Sequence, residues 1–248
     1  MRRPYNLDLP SLDRIALLIH GGYGQGKTHL VGDMLRTERA NGPVRFLNIA
    51  GEDGSAAIGG MGLGEIAVTV DTYEDLRAEM ADMSKMGLRA VGVDSMHHIA
   101  RILMQYVTGS DRLPRIAKDS NEWGELNHTL RATMLTLRTL APIVLVTCPS
   151  DRSVDQLTGK VLWTPDVPGR NAVGSSGWFN FVFVMKSDVI GPNKVRRVLL
   201  TGPISDVVIK AQLPCPLPTE IEVPENGGGW AKLYATIQKA FNNTGKEK

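Results

Sequence analysis

The stretch GGYGQGKTH, residues 21–29, sets bare backbone beside one lysine and one threonine. Gly21, Gly26, Lys27 and Thr28 satisfy G-x-x-x-x-G-K-[ST], with Gly22, Tyr23, Gly24 and Gln25 between them and His29 following. That spacing suits phosphate chemistry. Glycines let the chain curl until several N–H groups converge on one phosphate, and a following helix N-terminus adds partial positive charge. Lys27 is then expected at the β- and γ-phosphates of a nucleoside triphosphate, and the Thr28 hydroxyl on Mg²⁺. A chance match in a chain this long has odds on the order of 1% at average composition. The dinucleotide fingerprint G-x-G-x-x-G fails, because its sixth position is Lys27 counted from Gly22 and His29 counted from Gly24.

Phosphate chemistry with a metal needs a carboxylate. RAVGVDS (89–95) offers Asp94 at the end of an apolar run, with Ser95 beside it. Such a residue either holds Mg²⁺ opposite the phosphate loop or caps the next helix. Hydrolysis also needs a group to orient or deprotonate water. Glu52 ends FLNIAGE (46–52), and Asp53 is its neighbour and competitor. The bland alternative for either is a solvated loop carboxylate.

Strands and helices must bring these groups together. RIALLIH (14–20) reads as a strand buried on both faces, feeding the glycine loop directly. THLVGDMLRTERA (28–40) then carries Leu30, Val31, Met34 and Leu35 on one helical face. VRFLNIA (44–50), EIAVTV (65–70), LRAVGVDS (88–95) and PIVLVTC (142–148) are further strands. Between them lie helices headed by Thr72 and Asp75, by Met96, and by the region of residue 121. Residues 149–178 form a long Pro-, Gly- and Ser-rich segment, expected to be a functional or mobile loop. Strands at 178–186, 194–201 and 205–213 follow without helices and are expected to pair antiparallel. A final amphipathic helix spans 230–241. The alternation implies an α/β fold with a mostly parallel sheet flanked by helices, and an antiparallel β extension in the last third. One domain is expected over 1–248: a core at 14–212, an extended segment and helix at 213–241, and a tail at 242–248.

The totals agree. The 248 residues are 42% apolar and 22% charged, with net charge +2, so composition alone predicts neither nucleic-acid binding nor disorder. Cys148 and Cys215 stand far apart in no metal spacing and read as reduced thiols of a cytoplasmic protein. No apolar run reaches membrane-spanning length, and the first residues carry no secretory pattern.

The order of parts resembles the RecA-like (ASCE) P-loop NTPases, most closely the small phage-encoded RecA-type ATPases that include single-strand annealing recombinases. GGYGQGKTH matches their Walker A loop, RAVGVDS their Walker B strand ending in Asp-Ser, and FLNIAGED the strand whose terminal carboxylate, here Glu52, polarises water. Where the family carries a polar amide as nucleotide sensor, this chain has Thr147-Cys148-Pro149. In VVIKAQ, Lys210 falls where a lysine reaches the γ-phosphate of a neighbouring subunit, but related proteins often show Lys-x-Arg and Gln212 stands in the last place. The resemblance implies an ATP- and Mg²⁺-dependent ATPase that forms homo-oligomeric rings or filaments with a shared active site. It also implies single-stranded DNA along the inner segments 108–122 and 149–178. Arg112, Arg115, Lys118, Arg152, Lys160 and Arg170 are the phosphate-contact candidates there, against ordinary surface solvation. Trp163 and Trp178 are candidates for base stacking or for the core, and His97, His98 and His128 read as helix-surface or packing residues.

Three other classes share the loop. A small-molecule or nucleotide kinase would use 149–178 as a lid. An AAA-type remodeller or packaging motor would need a C-terminal helical lid with a sensing arginine, and no Arg follows residue 200. A nucleotide-dependent scaffold would bind without hydrolysing.

Overall fold

The computed structural model describes residues 14–52, 54–109, 119–154, 159, 161–168, 171–192, 194–202, 206–213 and 216–242. β1 (Ile15–Gly21) leads to α1 (Lys27–Glu38), then β2 (Val44–Ile49), α2 (Gly54–Gly60), β3 (Ala67–Val70) and α3 (Tyr73–Met83). β4 (Ala90–Asp94), α4 (Met96–Thr108), α5 (Ser120–Leu137) and β5 (Ile143–Val154) follow. The remainder is β6 (Val161–Pro165), α6 (Asn171–Gly174), β7 (Phe181–Gly191), β8 (Lys194–Leu200), β9 (Lys210–Ala211), β10 (Glu220–Val223) and α7 (Gly229–Asn242).

The main sheet runs β10-β8-β7-β1-β5-β4-β2-β3. From β7 to β3 every neighbouring pair is parallel, while β8 and β10 extend the β7 edge antiparallel. The architecture is therefore α/β, a mostly parallel mixed sheet covered by helices on both faces. β1 and β4 are buried at every position, as apolar strands inside such a sheet must be. Alternate residues serve the two layers. Ala16, Leu18, Val91 and Val93 pack with α3, α4 and α5; Ile15, Leu17, Ile19 and Leu145 pack with α1 and α7. α1 sits close to β4 because residue 92 is glycine: a Cβ there would lie 2.3 Å from Val31 Cγ1. α3 begins with a full capping box. The Thr72 side chain accepts from the Asp75 N–H, and the Asp75 carboxylate accepts from the Thr72 N–H.

Three expectations need correction. The long loop at 149–178 is in part a hairpin: β5 runs on to Val154 and pairs antiparallel with β6, Ser150 opposite Pro165 and Val154 opposite Val161. That ladder is a tertiary pairing that no local apolar alternation signals. The strand expected over 205–213 shrinks to β9, two residues long, plus a bridge from Val207 to Trp163. The third is α2, which no apolar periodicity in the sequence announces. Its glycines disfavour a helix, and burial of Ile58 on the α1 side of the sheet outweighs that propensity. Cys148 is a free, buried thiol that burial makes hard to ionise, while Cys215 lies outside the described residues. Among the described residues no helix is long and apolar enough to cross a membrane.

Candidate active site

β1 delivers the glycine loop to the C-terminal edge of the sheet, and Gly26 closes it as the N-cap of α1 at φ 94°, ψ 16°. This is left-handed backbone that other residues adopt at a cost. No side chain caps α1 and no acid stands in its first turn, so its leading N–H groups are left for an anion. The Lys27 ammonium is buried, donating 2.9 Å to the Gly21 carbonyl and 2.7 Å to that of Gly22. The Tyr23 ring, itself exposed, has its centroid 5.8 Å from the ammonium. Burial lowers the pKa of Lys27, and Asp94 opposes that shift.

β4 ends at Asp94, whose carboxylate receives two hydroxyls. Thr28 donates to Oδ2 at 2.6 Å, and Thr147 of β5 donates to Oδ1. Burial raises the pKa of Asp94 despite these bonds. A desolvated carboxylate touching a threonine at a phosphate loop gains from a cation. Among the described residues no cluster of three or more His, Cys, Asp and Glu could hold a metal alone. The pair therefore fits Mg²⁺, which takes one or two protein oxygens and fills its octahedron with phosphate and water oxygens.

Glu52 follows β2 and is held from α4. Its Oε1 accepts from Ser95 Oγ at 3.0 Å and lies 3.0 Å from His98 Nδ1. The His98 bond is the main cause of a lowered Glu52 pKa, so this side chain stays a carboxylate through the neutral range. Such a group is suited to orient or polarise water more than to take its proton outright. One cleft of about 260 Å³ is lined by Tyr23, Gly24, Gln25, Gly26, Lys27, Thr28 and His29 together with Glu52 and Asp94. Larger grooves exist, one of about 380 Å³ between α3 and α5, but Arg77 is the only charged group among the described residues of its walls.

Other expected residues lie elsewhere. The Lys210 ammonium donates to the Ser176 and Phe179 carbonyls at 3.0 and 2.9 Å, away from the cleft. Arg152 is exposed on the β5–β6 hairpin, paired in register with Trp163, which is 41% exposed, while Trp178 is buried in the core. Arg112, Arg115, Lys118, Lys160 and Arg170, like Asp53, lie outside the described residues.

Four residues have partners that escaped the sequence reading. His98 is a packing residue, the second of its two expected places; what the sequence leaves out is its partner, Glu52, and the only signal is its place four residues after Asp94, in the first turn of the next helix. His97 is half-buried and bonds both the carbonyl and the carboxylate of Asp166, which raises its pKa. His20, immediately before the loop, ties β1 to Ser150 at 2.8 Å and to the Val208 carbonyl at 3.0 Å. Burial lowers its pKa to about 4, so it is neutral. Arg197 of β8 lies against the loop: a Cβ at Gly26 would stand 2.9 Å from its Cδ and Nε. No sequence signal joins Arg197 to residue 26, because the contact crosses from the antiparallel edge.

Neither a family model nor a curated protein matches the chain.

Proposed function

We propose that this chain is a RecA-like P-loop ATPase, Mg²⁺-dependent, that acts on single-stranded DNA in phage-type recombination or annealing with an active site shared between subunits. One observation carries the ATPase reading. The glycine loop, the Thr28–Asp94 pair and the carboxylate of Glu52 face a single cleft although they come from three different strands. The loop N–H groups and Lys27 hold the β- and γ-phosphates. Mg²⁺, held through Thr28 and Asp94, supplies positive charge against the phosphate oxygens. Glu52 orients the attacking water toward the γ-phosphorus. Thr147 keeps the Asp94 carboxylate in place from the intervening strand β5.

The DNA and assembly parts are supported by the resemblance and by Arg152 beside the exposed Trp163 on the hairpin, a cation next to a stacking surface. A shared site would also require Lys210 to leave its two carbonyls. The deciding experiment measures ATP hydrolysis with and without single-stranded DNA, beside particle mass with a non-hydrolysable ATP analogue. DNA-stimulated turnover and analogue-dependent assembly are expected. Transfer of the γ-phosphate to a nucleoside or metabolite would replace this reading with a kinase.

A further inference from the structure

We propose that His98 is the positioning residue that fixes Glu52 for its encounter with water; the proposal rests on the ATPase reading above. Ser95 Oγ, His98 Nδ1 and Glu52 Oε1 form a closed triangle with sides of 3.0, 3.1 and 3.0 Å. Its protons can be counted. An ionised carboxylate only accepts, and the Ser95 hydroxyl has one hydrogen, which goes to Glu52. A bare Nδ1 lone pair 3.0 Å from Oε1 would face another lone pair, so Nδ1 carries a hydrogen and donates.

Two features show that this contact is not incidental packing. Ser95 is the N-cap of α4, yet its side chain makes no capping bond and donates to Glu52 instead. The imidazole is 5% exposed and wedged under the turn that carries Glu52: a Cβ at Gly51 would lie 2.8 Å from His98 Cδ2. Both donors reach the same oxygen, Oε1, and among the described residues none is bonded to Oε2, which is the oxygen left to a water. The first turn of α4 thus sets both the place and the rotation of the carboxylate. A displacement of about 1 Å at a reacting group can cost on the order of 100-fold in rate.

The test compares steady-state ATP hydrolysis by the full chain and by H98A, H98N, H98Q, E52Q and E52Q/H98A, each checked by thermal melting. H98A should lose about tenfold in kcat with KM for ATP changed less than twofold. H98N, whose amide nitrogen stands near the place of Nδ1, should recover several-fold over H98A, whereas H98Q should not. Adding H98A to E52Q should cost little more than E52Q alone, because both act through one carboxylate. If H98A does not fold, the H98N against H98Q order decides. A kcat for H98A within twofold of the unaltered chain, equal H98N and H98Q, or a full extra tenfold loss in the double variant overturns the positioning role while leaving Glu52 in place. An unaltered chain without hydrolysis, or E52Q at full rate, overturns the reading of Glu52 itself and the proposal with it.

Discussion

Along β1 and β4 every residue is buried, whereas β8 alternates exposed and half-buried from Lys194 to Arg197 before Val198, Leu199 and Leu200 go under. The parallel strands end in functional groups: β1 in the glycine loop, β4 in Asp94, β2 just before Glu52. On the antiparallel edge, by contrast, Arg196 pairs with Glu220 and Arg197 with Glu225. On β9, which pairs directly with β7, Lys210 donates to the Ser176 and Phe179 carbonyls. Lys27 and Lys210 each donate to two backbone carbonyls, so what separates the regions is position in the sheet and not engagement: Lys27 lines one cleft with Glu52 and Asp94. Strands that are parallel and adjacent bring their C-terminal ends to one edge, and chemistry collects there.

If that edge carries the chemistry, Lys27→Ala should lower ATP turnover by about 10³-fold or more and weaken nucleotide binding, read by hydrolysis and nucleotide titration. Unaltered turnover would sink the assignment of the loop. Next in size is the support behind the loop. Trp230 of α7 is 1% exposed in the core shared with α1, and its indole donates 2.9 Å to Glu38. Trp230→Ala should cost about 3–5 kcal/mol in chemical denaturation. A loss below about 1 kcal/mol would show that α7 is a covering and not a support.

His20 gives a pH signature. Its folded pKa of about 4 lies below the ordinary 6.5, so the unfolded chain takes up the proton first. Stability should fall as pH drops from 6.5 toward 4, by at most about 1.4 kcal/mol per unit from this group. His97 acts with the opposite sign: its pKa is raised, so its contribution is present below 6.5 and fades as pH rises through its folded value. Denaturant melts across that range should show an acid-side slope that His20→Gln flattens; an unchanged slope would assign it to other groups. The smallest effect concerns Lys210. Its two hydrogen bonds make Lys210→Ala a loss of about 1–2 kcal/mol in stability. With a shared active site, mixing Lys210→Ala with Lys27→Ala subunits should restore part of the turnover. No recovery at any ratio would confine the chemistry to one chain and sharpen the contrast between the two regions.

What was legible in the sequence was local or periodic. Gly21 to Thr28 is a contiguous spacing, the buried strands are short apolar runs, and Thr72 with Asp75 announces a helix start within four residues. The reading of Asp94 and Glu52 needed only the ends of such runs. What escaped needed the third dimension. β6 exists because β5 offers it a ladder, and α2 because Ile58 finds a buried seat among glycines. His98 meets Glu52 across 46 positions of chain, and an imidazole in a helix carries no mark of which carboxylate lies opposite.

Gly92 has a mechanical consequence. Val31 rests where a side chain at 92 would be, and Thr28 lies one helical turn before Val31 on the same rigid rod. Asp94 is two residues further along the same strand. The gap between hydroxyl and carboxylate is therefore gauged by a seat that consists of a hydrogen atom. One methyl group added there would act as a shim, prying α1 from β4 and widening the Thr28–Asp94 gap without touching either residue.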